Sequence, residues 1–173
     1  MPLRLVVPKE STPGERRVAL VPEVVQALVK GGVTVVVESG AGISAGYPDD
    51  GYAQVGASIE KDPTALVAGA GLVLRVQPPS VDESARLAAG TVVVALVNAS
   101  RNLDRVAKMR DQRLTVFALE LLPRITRAQS MDVLSSQATV AGYRATLIGA
   151  ELSPKFLPML TTAAGTIRPS KVL

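Results

Sequence analysis

A doubly wound parallel α/β sheet is the fold class this sequence predicts, and three observations predict it. Short β-branched runs, apolar on both faces, recur at residues 4–7, 33–38, 72–76, 91–97 and 114–118. Strands read this way when helices cover both faces of their sheet. Segments with apolar residues three and four apart separate those runs, at 22–30, 50–55, 63–68, 81–88 and 103–112, and strand–helix alternation of this kind builds an open parallel sheet. The chain has 173 residues, 47% of them apolar and 20% charged, enough for one good-sized core.

The individual elements carry matching punctuation. Pro22 stands where a first helix should start, and Gly31 where its left-handed terminus is wanted. In 103–112, Leu103, Val106, Ala107 and Met109 face inward while Asp104, Arg105, Lys108 and Asp111 face outward. A longer helix is expected from Ser130, with Leu134, Ala138, Ala141, Ala145, Ile148 and Leu152 as one apolar stripe over about six turns. Its small residues, Gly142 and Gly149 among them, permit close approach of another element, and Ser153-Pro154 ends it. Lys171-Val172-Leu173, after Pro169, reads as the opening of a further strand. The expected organisation is an N-terminal α/β lobe at 1–128, a connecting helix at 129–153, and at 154–173 a linker with the first strand of a truncated nucleotide-binding domain.

Composition narrows the chemistry. With no cysteine and no histidine, the chain has no thiolate or imidazole to serve as nucleophile, general base or metal ligand. No metal site is expected. The net charge of +4 is spread along the chain and aromatic residues make up 3%, so the excess reads as solvated charge, and no nucleic-acid partner is expected. No apolar run reaches a membrane-spanning length and the N-terminus has no signal-peptide core, which points to a cytoplasmic chain without direct membrane insertion.

Three stretches could carry a site. Gly40, Gly42 and Gly46 follow a predicted strand with a spacing that imitates a dinucleotide fingerprint. Pro48, Asp49 and Asp50 then interrupt the helix such a motif requires and bring negative charge where phosphates would sit, so a βα loop is expected instead. Lys9, Glu10, Glu15, Arg16 and Arg17 follow the first strand, and ligands of doubly wound sheets gather at strand carboxyl ends. Arg17, beside the apolar Val18-Ala19-Leu20, is the best cation there for a carboxylate or phosphate, and a solvated loop with one structural ion pair is the equal alternative. Finally, in "PRITRAQSMDVLSSQATVAGYRA", Arg124, Gln129, Asp132 and Ser135 stand five, three and three apart. A helix reaching back to about residue 127 would put the last three on one face. A capping box of Thr126 with Gln129, and Asp132 as a first-turn charge, explain two of the four without a ligand.

That last stretch closely resembles the loop and helix of the NAD(H)-binding component of proton-translocating NAD(P) transhydrogenases. The run "VPKESTPGERRVALVPEVVQALVKGGVTVVVESGAG" resembles the start of the same family, which is shared with alanine dehydrogenases. The resemblance extends to "TTAAGTIRPSKVL", after which members of the family continue into a glycine fingerprint. It implies a flavodoxin-like or Rossmann-like lobe of an oxidoreductase that binds NAD(H) and passes hydride to or from NADP(H) on a partner component. It further implies homodimers, a separate membrane component that moves protons, a position peripheral to the cytoplasmic membrane, and an inactive fragment when this stretch stands alone. Arg124, Gln129 and Asp132 match the family's Arg-Gln-Asp loop, with Ser135 following; cofactor binding is implied for all four and participation in catalysis for Gln129 and Asp132. Hydride transfer between two nicotinamides needs no side-chain acid or base, because the cofactors do the chemistry and the protein sets distance and orientation.

Two other functions stay in view. An alanine dehydrogenase-like amino-acid dehydrogenase is similar through Arg17, but that family uses a lysine and a histidine where this chain has Gln77 and Asn98. A non-catalytic flavodoxin-like docking or regulatory module is the third reading, and a glycine fingerprint within about ten residues downstream of Leu173 would exclude it.

Overall fold

The computed structural model describes residues 3–171. The chain divides into two compact units, Met1–Leu122 and Pro123–Leu173. In the first, strands β1 (Arg4–Val7), β2 (Thr34–Glu38), β3 (Ser58–Glu60), β4 (Leu72–Leu74), β5 (Val92–Ala95) and β6 (Thr115–Ala118) form one sheet in the order β3-β2-β1-β4-β5-β6. Every pairing is parallel. The five expected strands are all present, and among themselves they follow the flavodoxin order. The sixth, β3, extends the edge beside β2 and turns the order into the Rossmann arrangement. It escapes sequence reading because Ser58-Ile59-Glu60 holds a single apolar residue.

Helices α1 (Pro22–Lys30), α2 (Asp49–Gln54), α3 (Pro63–Val67), α4 (Val81–Ala85) and α5 (Leu103–Asp111) connect the strands. The alternation along β1 shows why both sheet faces must be covered. Leu5 and Val7 pack into a cluster with Val25 of α1 and Tyr52 of α2, whereas Val6, between them, packs with Leu66 of α3 and with Leu87 beyond α4. Each fully buried aliphatic side chain contributes about 1.5–3 kcal/mol, so a β1 exposed on either face would forfeit one of its two cores. A smaller cluster of Ala95, Val97 and Met109 seats α5. Pro22 opens α1 as expected. The left-handed residue at its end is Gly32, with φ of +85°, rather than Gly31, because Gly31 still donates its N–H to the Ala27 carbonyl in helical fashion.

In the second unit a 3-10 segment spans Thr126–Met131, followed by α6 (Val133–Leu152). The long helix is there, but it begins at Val133 rather than at Ser130, since Asp132 caps it by accepting from the Ser135 N–H. The proposed Thr126–Gln129 capping box does not form, and no side chain caps the 3-10 segment. None of the α6 residues is buried within the chain, so the stripe from Leu134 to Leu152 is exposed there. Among the described residues no helix is long and apolar enough to cross a membrane. Strands β7 (Leu160–Thr162) and β8 (Gly165–Ile167) form an antiparallel hairpin where only a linker was expected. Its signal was the paired threonines around Gly165, whose φ is +131°. Lys171 is not in a strand, and the other two residues of the expected strand opening, Val172 and Leu173, lie outside the described residues.

The loop after β2 shows how tightly glycine is used. A Cβ at Gly42 would stand 2.5 Å from the Tyr47 carbonyl oxygen and 2.7 Å from the Tyr52 ring, and Tyr52 is itself fully buried. By contrast Gly51, inside α2, has only the Pro22 ring at 3.7 Å, an ordinary contact. Gly42→Ala should therefore destabilise the fold by about 1–3 kcal/mol through overpacking, while Gly51→Ala stabilises it by about 0.5–1 kcal/mol by restricting the unfolded chain. Urea unfolding of the two variants, read against the parent, checks the opposite signs.

Candidate functional site

The strand order reverses between β1 and β4, and in open α/β sheets this reversal opens a crevice at the strands' carboxyl ends. One full charge enters it from β4's end: the Arg75 side chain is 2% exposed. Its guanidinium contacts the Glu83 carboxylate at 2.8 Å and that of Glu10 at 3.6 Å, and its Nη2 donates to the Lys9 carbonyl and the Ser11 hydroxyl. Glu10 in turn accepts from the backbone N–H groups of Val76 and Gln77. The loop after β1 is thereby fastened to the loop after β4 by interactions that leave little unpaired, only Arg75 Nε lacking a partner. Backbone and side-chain hydrogen bonds from Ser80 and Arg75 hold the Glu83 carboxyl below its usual range, against an opposing effect of burial that is the largest single influence. Sequence reading named Glu10 but passed over Arg75; its signal was a lone cation closing the apolar run Leu72-Val73-Leu74.

Arg17 lies in the same loop and meets a carboxylate of its own chain. Its Nε and Nη2 donate to the two Glu15 carboxylate oxygens at 2.8 and 2.7 Å, a forked geometry. Gln77 Nε2 donates to the same carboxylate at 2.8 Å, and so do the backbone N–H groups of Arg16 and Arg17. The structural ion pair anticipated for this loop therefore exists, and it engages the residue also put forward to hold a ligand. Asn98, in the loop after β5, adopts a left-handed backbone, and its carbonyl accepts from the Asn102 amide.

The Gly40–Gly46 loop is not free to cradle phosphate. The Gly40 N–H donates to the Asp49 carboxylate at 2.8 Å, and the Ser39 hydroxyl donates to the other Asp49 oxygen at 2.7 Å. Among the described residues no group of three or more acidic side chains is placed to hold a metal ion.

The remaining candidates belong to the second unit. Asp132 accepts from the Ser135 N–H at 3.0 Å and from the Ser135 hydroxyl at 2.6 Å. Those bonds, with smaller help from the nearby Arg124 charge, hold the Asp132 carboxyl below its usual range. Arg124, Gln129 and Ser135 are exposed and Asp132 is half-buried. The structure thus joins Asp132 to Ser135 directly and to Arg124 electrostatically. Gln129 sits on the 3-10 segment, and its carbonyl accepts from the Asp132 N–H, so it does not share a helix face with the other two.

Fold and site together define a doubly wound α/β lobe of Rossmann type that ends in a long helix and a hairpin. Residues 6–141 match the family described as alanine dehydrogenase/PNT, N-terminal domain, and the chain belongs to that family. It is 43% identical over 176 residues to an NAD(P) transhydrogenase alpha subunit of Rhodospirillum rubrum, covering 99% of this chain and 46% of that relative. It is 32% identical over 149 residues to alanine dehydrogenase of Bacillus subtilis, covering 86% of this chain and 38% of that one. Among solved structures, transhydrogenase from Sinorhizobium meliloti superposes with a TM-score of 0.89 at 43% identity, over 96% of this chain and 49% of that chain. The chain spans about half the length of these transhydrogenase relatives.

The Glu15 cluster has a measurable signature. The Arg17 hydrogen bonds, aided by Gln77, pull the Glu15 carboxyl from 4.5 down to about 2 despite burial, which pulls the other way. A carboxyl lowered on folding adds stability that is complete above its unfolded value and is lost as pH falls from 4.5 towards about 2. Arg17 is 41% exposed, and solvent screening reduces the contribution to about 1 kcal/mol. Glu15→Gln should therefore flatten the stability profile across that window, seen as a smaller drop in unfolding free energy between pH 5 and pH 3 than the parent shows.

Proposed function

We propose that this chain is the N-terminal lobe, with connecting helix, of the NAD(H)-binding component of a proton-translocating transhydrogenase. The observation that carries the reading is the 43% identity to a transhydrogenase subunit across 99% of the chain. The lobe runs through residue 128, the connecting helix through 153, and 154–173 lead into a nucleotide-binding domain. NAD(H) belongs to this component and NADP(H) to a partner component. The assembly is a homodimer, peripheral to the cytoplasmic membrane through a separate membrane component, and this stretch alone is inactive.

The loop after β2 does not suit the cofactor's pyrophosphate, since Asp49 already occupies the Gly40 N–H, whereas the polar groups between Arg124 and Ser135 suit the nicotinamide end and the phosphate next to it. When bound, the paired nicotinamides supply the hydride donor and acceptor. Arg124 offers a forked donor to a phosphate oxygen, and Gln129 offers an amide that both donates and accepts beside the reacting rings. Asp132 and Ser135, bonded to each other, hold the loop at the start of α6 and so fix where those two groups stand. Orientation is what such a reaction asks of its protein, and small misplacements are costly.

Amino-acid dehydrogenation is the weaker reading. It is favoured by the likeness to alanine dehydrogenase and by Arg17 standing next to Gln77 at the strand ends. Gln77 is neutral and bonded to Glu15, and with no histidine in the sequence the proton source used by that family is absent.

In the intact component, combined with its NADP(H)-binding partner, Gln129→Asn should slow hydride transfer by about ten- to a hundredfold while NADH affinity stays within about twofold. Stopped-flow transfer rates and equilibrium NADH titration separate the two, and an unchanged rate would refute the role given to Gln129.

A further inference from the structure

The crevice at the sheet's reversal point holds a cavity of about 520 Å³ that the transhydrogenase reading leaves unused. We propose that it binds a nucleoside monophosphate, with the base between its aliphatic walls, the ribose hydroxyls on Glu38 and the phosphate on Lys9 and Arg86. The proposal does not rest on the function argued above. All the residues lining the cavity lie between Pro8 and Leu87, within the first unit.

Size and position agree with a small-molecule site, since such pockets span about 300–1,000 Å³ and favour this place in a doubly wound sheet. The walls are aliphatic: Leu66 and Val67 from α3, Val73 from β4, and Leu87 beyond α4 all line it. Leu66, Val73 and Leu87 are buried in the packed cluster on that sheet face and form the floor of the slot, so the apolar surface open to a base comes chiefly from Val67 and Pro63.

The charges decide the class of ligand. Of the acidic groups lining the cavity, Glu10 and Glu83 are paired with Arg75. Glu38, at the end of β2, accepts the Lys9 backbone N–H through Oε2 at 2.7 Å, while no hydrogen bond from the described residues reaches its Oε1. Asp82 has no ion-pair partner among them. Lys9 and Arg86 line the same cavity, and neither side chain has an ion-pair or hydrogen-bond partner among the described residues. Lys9, Asp82 and Arg86 are exposed and Glu38 is half-buried, so two cations and two carboxylates are open to a ligand at the same cavity. An inorganic anion would suit the cations and be repelled by the carboxylates, and a neutral diol would do the reverse. A nucleotide carries both halves, an anion and a set of hydroxyl and amine donors. An acidic side chain at the end of the second strand is also where Rossmann-type sites take ribose hydroxyls. A dinucleotide is disfavoured, because the turn after β1 is Pro8-Lys9-Glu10 and Glu10 occupies the Val76 and Gln77 N–H groups, leaving no glycine cradle for a pyrophosphate.

The test is amide-resolved NMR titration of the 173-residue chain with AMP, adenosine, inorganic phosphate and NADH as separate probes. AMP should bind saturably with a Kd below about 1 mM, with shifts centred on Glu38, Leu66, Val67 and Leu87, and each of the other three should bind at least about tenfold more weakly. Arg86→Ala should weaken AMP by about tenfold and leave adenosine unchanged. Glu38→Gln should weaken both AMP and adenosine, with the parent's spectrum retained in each variant as evidence of folding. Absence of saturation at about 10 mM AMP, shifts centred elsewhere, or phosphate binding as well as AMP would each overturn the proposal. A cavity response that survives Gln129→Asn unchanged keeps this result separate from the fate of the hydride-transfer reading.

Discussion

The first unit depends on the Arg75 guanidinium, a full charge placed where a buried parallel sheet has no water to offer. A charge so enclosed is tolerated only when paired and hydrogen-bonded, and both partners and acceptors come from other segments of the chain: Glu10 and Ser11 after β1, Glu83 on α4. Satisfying one side chain thus fixes two loops against each other at the point where the strand order reverses. The path of residues 8–21, and so the placement of Glu15 and Arg17, follows from that requirement. The core alone cannot supply it, since aliphatic packing is non-directional.

Electrostatics at the strand ends also sets what the loop after β1 is free to hold. Arg17 is the group best suited to grip a substrate carboxylate, yet a carboxylate two residues away already lies in its fork, supported by Gln77. A lysine in place of Gln77 would bring a second cation and loosen the hold of Glu15 on Arg17. With a neutral amide there, the Glu15–Arg17–Gln77 cluster is electrically closed, and it serves the loop's conformation first.

How much of this was legible varied with the kind of force involved. The four interior strands, β1, β2, β4 and β5, declared themselves because residues buried on both faces must be apolar throughout, and Val35-Val36-Val37 could hardly have meant anything else; edge strand β6 was legible as well, through Val116, Phe117 and Ala118. Edge strand β3 could not be read, since it is three residues long, has none of them buried and holds one apolar side chain, Ile59. Arg75 was overlooked for a related reason. Its burial is set by partners 65 and 8 residues away, Glu10 and Glu83, which no local pattern announces. The apolar stripe misplaced the start of α6 by three residues, because periodicity does not mark a first turn and Asp132 caps the helix through the Ser135 N–H. The loop quartet stood out by its polar spacing and took its role from resemblance, and that spacing put Gln129 on a helix face where it does not lie.

The capping geometry sharpens the division of labour within that loop. Both Asp132 oxygens are engaged by Ser135, so Asp132 has less to offer a ligand than its charge suggests. Its effect is better understood as positional: it fixes where the helix begins, and the residues before it are held in the shorter 3-10 winding. Winding of that kind closes hydrogen bonds one residue sooner than an α-helix does, which turns successive side chains to different directions. Gln129 on this tighter segment and Arg124 before it both have exposed side chains. The orienting role proposed for this segment would gain from that arrangement, because the capped start of α6 follows directly on the stretch that carries the two exposed donors.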